Sequence, residues 1–419
     1  MNAAAVFSST PLRIAIAIER FGPDVGGAER STAQVAERLV ERGHAVTVLT
    51  SRFGPHHIEP PAPYAVERRG SGGRVKAWTL MRLRQWVSRR CDTGEFDVVL
   101  SMTTSFPGHV VEPRAGITAG FQRQRVTRRA TPLARAIKSA EIAVSPKQRL
   151  LRSMERRTLA DPRLRRVVAL SELVARQLRE LAGVPDDRIE IIPNGSDTPA
   201  IDATRRAALR GALRRGLGLP PDTPVLVFAA HDPWRKGGRE LLQAMRRVVE
   251  ARPEARLLIV GREGYALHRA AVDLGVRDHV LLMGRTHRAP DLFAAADAVV
   301  LPTWYDPSSK VVIEALMVGT PAITTRLNGA ADFVVPTAAP GDTGPPAAAR
   351  GMVIDSPMDV PGLADAMLTM GDPTKQERFA DACRGLHARL TMGRHVDHLE
   401  AVLIEAAATR PGKPSASGP

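Results

Sequence analysis

The chain repeats one pattern: a short apolar run, a loop holding Gly or Pro, then apolar positions at helical spacing. Leu12 to Ile18 predicts a first buried strand, its β-branched share suiting a sheet covered on both faces. Ala28 to Arg42 places Ala33, Ala36, Leu39 and Val40 on one face and predicts a helix that Gly43-His44 ends. Ala45 to Thr50, Phe96 to Ser101, Val167 to Leu170 and Ile189 to Ile192 read as further strands, with Ser171 capping a helix over Glu172 to Leu181. The pattern restarts with a strand at Pro224 to Ala230 and a helix from about Arg239. Strands follow at Arg256 to Gly261, Val280 to Gly284 and Ala298 to Leu301, then a helix opening into Val311 to Met317. Strands alternating with helices through both halves predict an α/β protein with two doubly wound parallel sheets.

At 419 residues the chain is too long for one ordinary domain. The expected division is a disordered start at 1–11, a first domain at 12–198 and a second at 199–385. A helix at 386–408 and a disordered tail at 409–419 complete it. Gly341 to Ala348 is a Pro/Gly/Ala insertion with no assigned role. No run of eighteen apolar residues exists, which excludes a helical membrane span. Met1 to Pro11 lacks a basic segment before an apolar one, so no secretory signal is expected. Cys91 and Cys383 are too few for a disulfide framework or a metal cluster, which points to a reducing cytoplasm.

Charge changes this picture in one region. The net charge is +15, and Pro113 to Arg166 holds 15 basic against 3 acidic side chains. Apolar Leu133, Ala136, Ile137 and Ala140 alternate there with Arg128, Arg129, Arg135 and Lys138 in a helical pattern, and Lys147 to Arg157 repeats it. Such a block suits an anionic membrane surface, and equally describes a solvated helix face. Nucleic acid is not the expected partner, since no recognised motif appears and aromatics are only 4% of the chain.

Candidate chemistry gathers at strand ends. Leu301 runs into a Pro/Ser loop and then the helix of Ser309, Lys310 and Val311, whose start suits a phosphate. Asp306 lies in that loop and Glu314 on the helix, placed to accept from sugar hydroxyls; spacing alone is equally compatible with a βα unit bearing an exposed Glu. Arg235-Lys236-Gly237-Gly238 puts two cations before glycines and a helix, as a diphosphate site would. Gly26-Gly27 precedes the first helix in the same way, a weaker signal.

The stretch from Asp306 to Pro321 resembles the donor-site signature of GT-B glycosyltransferases of the large retaining family 4 type. There a carboxylate, seven residues and a Glu precede Ala-x-x-x-Gly-x-Pro, matched by Glu314-Ala315 and Gly319-Thr320-Pro321. Asp306 stands where that family usually has Glu, and Ser309-Lys310 where it often has Gly and an apolar residue. The Asp232 to Gly237 loop is similar to that of lipopolysaccharide core glucosyltransferases, and Ile192-Pro-Asn-Gly195 to the family's first-domain end. The resemblance spans roughly Arg13 to Arg389 and implies two Rossmann-like domains facing across a cleft. It implies a retaining, metal-independent hexosyl transfer from a nucleotide sugar, UDP-glucose-like or another nucleoside diphosphate hexose. The acceptor would be a glycan or glycolipid of cell-envelope polysaccharide or lipopolysaccharide synthesis, and the enzyme peripheral at the inner face of the cytoplasmic membrane. No cofactor is implied, and no metal-binding DxD motif is present.

The resemblance also implies roles. Asp306 faces the donor sugar and Glu314 holds the ribose; Arg235 and Lys236 hold the diphosphate, with Gly26, Gly27, Ser309, Lys310 and Val311 beside the donor. The loop from Gly261 to Gly264 lies near the nucleotide. The family's sugar-contacting His-Gly-Gly reads Arg114-Ala115-Gly116 here, with His109 five positions earlier. Either Arg114 or His109 takes that contact, or the region serves the acceptor. A rival reading keeps the fold as a non-catalytic nucleotide-sugar-binding protein.

Overall fold

The structure, a computed structural model, describes residues 10–22, 26–53, 62–70, 77–261, 264–286, 288–336 and 348–409. Most of the expected disordered start and tail, the Gly341 to Ala347 part of the insertion and the centre of the Gly261 to Gly264 loop lie outside the described residues. The chain divides into two compact units, Met1–Leu170 with Val174–Ile192 and Met392–Pro419, and Ser171–Leu173 with Pro193–Thr391.

The first unit contains β1 (Arg13–Phe21), α1 (Gly27–Glu41), β2 (Ala45–Phe53), β3 (Ala65–Arg68), α2 (Ala77–Asp92), β4 (Val98–Ser101) and β5 (Val110–Val111). Then come α3 (Thr118–Thr127), α4 (Pro132–Val144), α5 (Pro146–Leu159), β6 (Arg166–Ala169), α6 (Glu172–Ala182) and β7 (Ile189–Ile191). Its strands form a parallel sheet in the order β3-β2-β1-β4-β5-β6-β7. Alternation along β1 explains the burial of both faces. Ile14, Ile16 and Ile18 pack with Val35 and Leu39 of α1 and with Leu399 and Leu403 near the C-terminus, while Ala15 and Ala17 meet Leu83 and Val87 of α2.

The second unit runs α7 (Ala203–Gly216), β8 (Val225–Ala229), α8 (Gly238–Ala251), β9 (Arg256–Val260), α9 (Gly264–Asp273), β10 (Val280–Gly284), α10 (Ala289–Ala295) and β11 (Ala298–Leu301). It continues with α11 (Lys310–Met317), β12 (Ala322–Thr325), α12 (Ala331–Val334), β13 (Gly351–Ile354), α13 (Val360–Met370) and α14 (Pro373–Ala382). The sheet order is β10-β9-β8-β11-β12-β13, again parallel. Leu226 and Phe228 of β8 face Leu241 and Met245 of α8, and Val225 and Val227 face the opposite layer. The last helix, α15 (Met392–Ala408), belongs to the first unit.

The expected boundaries shift in two places. Residues 193–198 group with the second unit, and the final helix starts at Met392, since the residues before it, which belong to the second unit, form a short 3-10 turn at His387–Arg389. The basic block forms three helices, α3 to α5, between β5 and β6. No described helix is long and apolar enough to cross a membrane.

Candidate active site

In the second unit, the loops after β8 and β11 leave the carboxyl edges of adjacent strands and brace one another. Gly237 closes the first loop with φ 79°, and a Cβ there would collide with the Pro302 carbonyl of the second. Trp304 N donates to the Arg235 carbonyl at 3.1 Å. This close seam brings Lys236 Nζ into an ion pair with Asp306 Oδ2, both side chains largely covered. Asp306 Oδ1 also accepts from Ser308 N at 3.2 Å. Arg235 stays at the surface, its Nε 3.5 Å from Asp232 Oδ2.

A third loop holds the second from behind. Asp306 and Asn328 form an isolated parallel bridge, with Asp306 N donating to the Leu327 carbonyl and Gly329 N to the Asp306 carbonyl. Asn328 Oδ1 accepts from Ser309 N at 3.2 Å and Ala330 N at 3.0 Å, and its amide donates to Thr324 Oγ1. Ser309 precedes α11, whose first internal bond runs from Ile313 N to the Ser309 carbonyl. The N–H groups of Val311 and Val312 thus precede the helical ladder and point with the dipole toward the loop. Lys310 is the first residue of that turn. Ser308 is buried and its Oγ has no hydrogen-bond partner among the described residues. One turn into α11, Glu314 Oε1 accepts from Ser196 Oγ at 3.1 Å, and Asn194 Nδ2 donates to the Ser308 carbonyl at 3.4 Å.

Of the expected site residues, Lys236, Asp306, Ser309, Lys310, Val311 and Glu314 therefore share one edge of one unit, with Arg235 at its rim. Sequence reasoning missed Asn194, Ser196, Ser308 and Asn328. The Asn328-Gly329 pair was a readable turn signal, but nothing in its position along the chain tied it to Asp306 twenty-two residues before.

The remaining candidates lie in the first unit. Gly26 and Gly27 do sit at the entry to α1, where the Gly26 carbonyl accepts from Arg30 N and the Gly27 carbonyl from Ser31 Oγ. His109 and Arg114 are both buried. The His109 ring accepts from Val99 N at 3.0 Å through Nδ1, bonding it to the central strand β4. Arg114 Nη2 lies 2.7 Å from Glu112 Oε1 and 3.0 Å from His395 Nε2 of α15. Burial alone would raise the Glu112 carboxyl, but Arg114 and His395 outweigh it and hold it below the usual range. Burial in turn lowers Arg114 against the opposing pull of Glu112. Arg114 and Glu112 thus tie His395 of α15 to the segment that follows β5.

Two family models match the chain in succession: "Glycosyltransferase Family 4" over residues 25–199 and "Glycosyl transferases group 1" over residues 223–389. An uncharacterised glycosyltransferase of Methanocaldococcus jannaschii is 25% identical over 338 residues, covering 77% of this chain and 83% of that one. A D-inositol 3-phosphate glycosyltransferase of Acidothermus cellulolyticus is 28% identical over 361 residues, 76% of each chain. Among solved structures, WaaG, a glycosyltransferase involved in lipopolysaccharide biosynthesis, superposes with TM-score 0.72 at 19% identity over 93% of this chain and 99% of its own. Anabaena HepE in complex with UDP-glucose gives TM-score 0.64 at 19% identity over 94% and 100%. Both likenesses show the GT-B fold. With the two models together covering most of its length, this chain belongs to the glycosyltransferases of family 4 type.

Proposed function

We propose that this glycosyltransferase is a retaining hexosyltransferase using a nucleoside diphosphate sugar, UDP-glucose-like, with a glycan or glycolipid acceptor of cell-envelope or lipopolysaccharide synthesis. The observation that carries the reading is the convergence at the start of α11 of Lys236, Asp306 and the buried, unpartnered Ser308 hydroxyl. A phosphate or sugar oxygen would satisfy that hydroxyl. As the bond to the sugar breaks, the diphosphate gains charge, and Lys236, Arg235 and the N–H groups opening α11 are donors already in place. In this reading the ammonium and the helix start take the part that a metal ion plays elsewhere. Asp306, steadied by Lys236 and Ser308 N, faces the sugar, and Glu314 takes the ribose hydroxyls. The UDP-glucose complex of HepE supports the donor class.

Removing Lys236 takes away a charge-assisted contact that contributes about 2–4 kcal/mol to a developing anion. Lys236→Ala is expected to lower donor turnover about 10²-fold or more with an unchanged melting point. Wild-type kinetics in a folded variant would remove this residue from the reaction and the convergence from the argument.

The acceptor side rests on the first unit. Helix α4 has no buried residue, and Leu133, Ile137 and Val144 on one of its faces are 72%, 62% and 71% exposed. Arg128, Arg129 and Arg135 are exposed beside it. An apolar ridge flanked by cations supports reversible seating on an anionic leaflet, over a lipid-borne acceptor. A phosphorylated polyol is the second reading, favoured by the D-inositol 3-phosphate glycosyltransferase among the relatives and by the same cations. Transfer to a soluble phosphorylated polyol but not to vesicle-borne glycolipid would decide for it.

A further inference from the structure

The second unit has a cavity of about 710 Å³ that the proposed reaction does not use. Its walls come from α7, α14 and the C-terminal end of α11. The candidate active site lies at the other end of α11, and eight helical residues separate the two by roughly 12 Å.

One cation lines this space without a counter-charge. Arg206 Nη1 donates to Thr320 Oγ1 at 3.2 Å, and that hydroxyl gives its own hydrogen to the Phe293 carbonyl at 2.8 Å. Gly319, with φ 76°, admits the guanidinium, since a Cβ there would run into Arg206 Nη2. On the same helix Arg210 and Arg214 both pair with Asp297, whereas no described carboxylate comes within 4.0 Å of Arg206. The carboxylates lining the cavity are otherwise engaged or exposed. Asp202 accepts from Arg205 N, Asp381 pairs with Arg384, and Glu377 is exposed. Burial draws the Arg206 guanidinium below its ordinary value, and it pushes the neighbouring Cys383 thiol up to about 12, so that thiol stays neutral.

A part-buried guanidinium with one side on a neutral hydroxyl keeps donors for an oxyanion. Part of the surrounding wall is apolar, formed by Ile201, Met317, Val318 and Ala380. We propose that this cavity is a second binding site, taking a small amphipathic oxyanion, a phosphate monoester or carboxylate, with its charged end on Arg206 and its apolar body against Ile201, Met317 and Ala380.

The test is calorimetric titration of the full chain with phenyl phosphate, benzoate and inorganic phosphate at fixed ionic strength. Phenyl phosphate or benzoate is expected to bind, the better of them marking the preferred head group, and inorganic phosphate more weakly for want of an apolar body. Arg206→Gln should weaken binding at least tenfold, and Ala380→Phe, which fills the cavity and keeps the charge, should do the same. Lys236→Ala should leave it unchanged, separating this site from the donor site. Failure of both organic anions to bind wild type, wild-type affinity in either cavity variant, or loss in Lys236→Ala would each overturn the proposal. If Arg206→Gln does not fold, Ala380→Phe decides alone.

Discussion

Asp306 is one methylene shorter than the glutamate expected at its position, and its surroundings show what the short arm does. It keeps the carboxylate against its own loop, where Ser308 N and Lys236 fix it. Glu314 is held from a different direction, by Ser196. Two carboxylates with separate supports should fail separately. Glu314→Gln is expected to weaken free nucleoside diphosphate and the whole donor alike, about tenfold for one charge-assisted contact. Asp306→Asn is expected to spare nucleoside diphosphate and impair only steps that involve the sugar. Calorimetry with the free nucleotide on both variants checks this, and equal losses would end the division of labour.

Between elements, two buried glutamates fasten what the backbone cannot. Helix α3 begins without a side-chain cap of its own, and Glu155 of α5 supplies one from outside. Its carboxylate accepts from Thr118 N, from Ala119 N at 3.0 Å and from Thr104 Oγ1 at 2.9 Å, with Arg152 2.6 Å away. Glu155→Ala strands two N–H groups at a helix start and should cost about 2–4 kcal/mol, read as a lower denaturant midpoint. Glu112 does the corresponding work for α15. Because Arg114 and His395 hold its carboxyl below the usual range, its contribution is complete above the unfolded value, about 4.3, and is lost as pH falls through the lower folded value. Glu112→Gln leaves Arg114 buried without its counter-charge and should cost about 3–5 kcal/mol at neutral pH. The variant should also lose less stability than wild type on acidification below pH 4; parallel acid profiles would show that Glu112 carries none of the acid sensitivity.

For the molecule as a whole, charge is partitioned more sharply than composition suggests. The block from Pro113 to Arg166 carries +12 of the total +15, and the structure spends it unevenly. Arg152 and Arg163 are bound to Glu155 and Asp161, and Lys138 to Glu141. Arg128, Arg129 and Arg135 remain exposed around the apolar ridge of α4. Each cation near an anionic leaflet contributes about 1 kcal/mol, screened over about 8 Å at physiological salt. Co-sedimentation with anionic vesicles is therefore expected at low salt and should fall as salt rises. It should drop about tenfold or more in Arg128→Gln/Arg129→Gln/Arg135→Gln, and also in Leu133→Ser/Ile137→Ser/Val144→Ser. Equal sedimentation of wild type and both variants would leave the ridge and the block as solvated surface.

The fold class, both sheets' central strands and the edge carrying the candidate donor residues were legible in the sequence, because buried parallel strands are written as local apolar runs. Val280–Gly284 and Ala298–Leu301 fall where the pattern puts them, and Arg13–Phe21 differs only at its ends. Strands β3, β5, β12 and β13 were not predicted: Ala65–Arg68 is half polar and largely uncovered, and Val110–Val111 is only two residues. Nor was the state of any polar side chain. Lys236 and Asp306 are 70 positions apart, and their pairing depends on Gly237 letting two loops touch. Arg114 and His395 are 281 apart, so only the packing of α15 could show that these two side chains meet in a buried cluster. Periodicity is a property of neighbours along the chain and so determined the elements. Burial and ion pairing are properties of neighbours in space, and only the tertiary structure decided them.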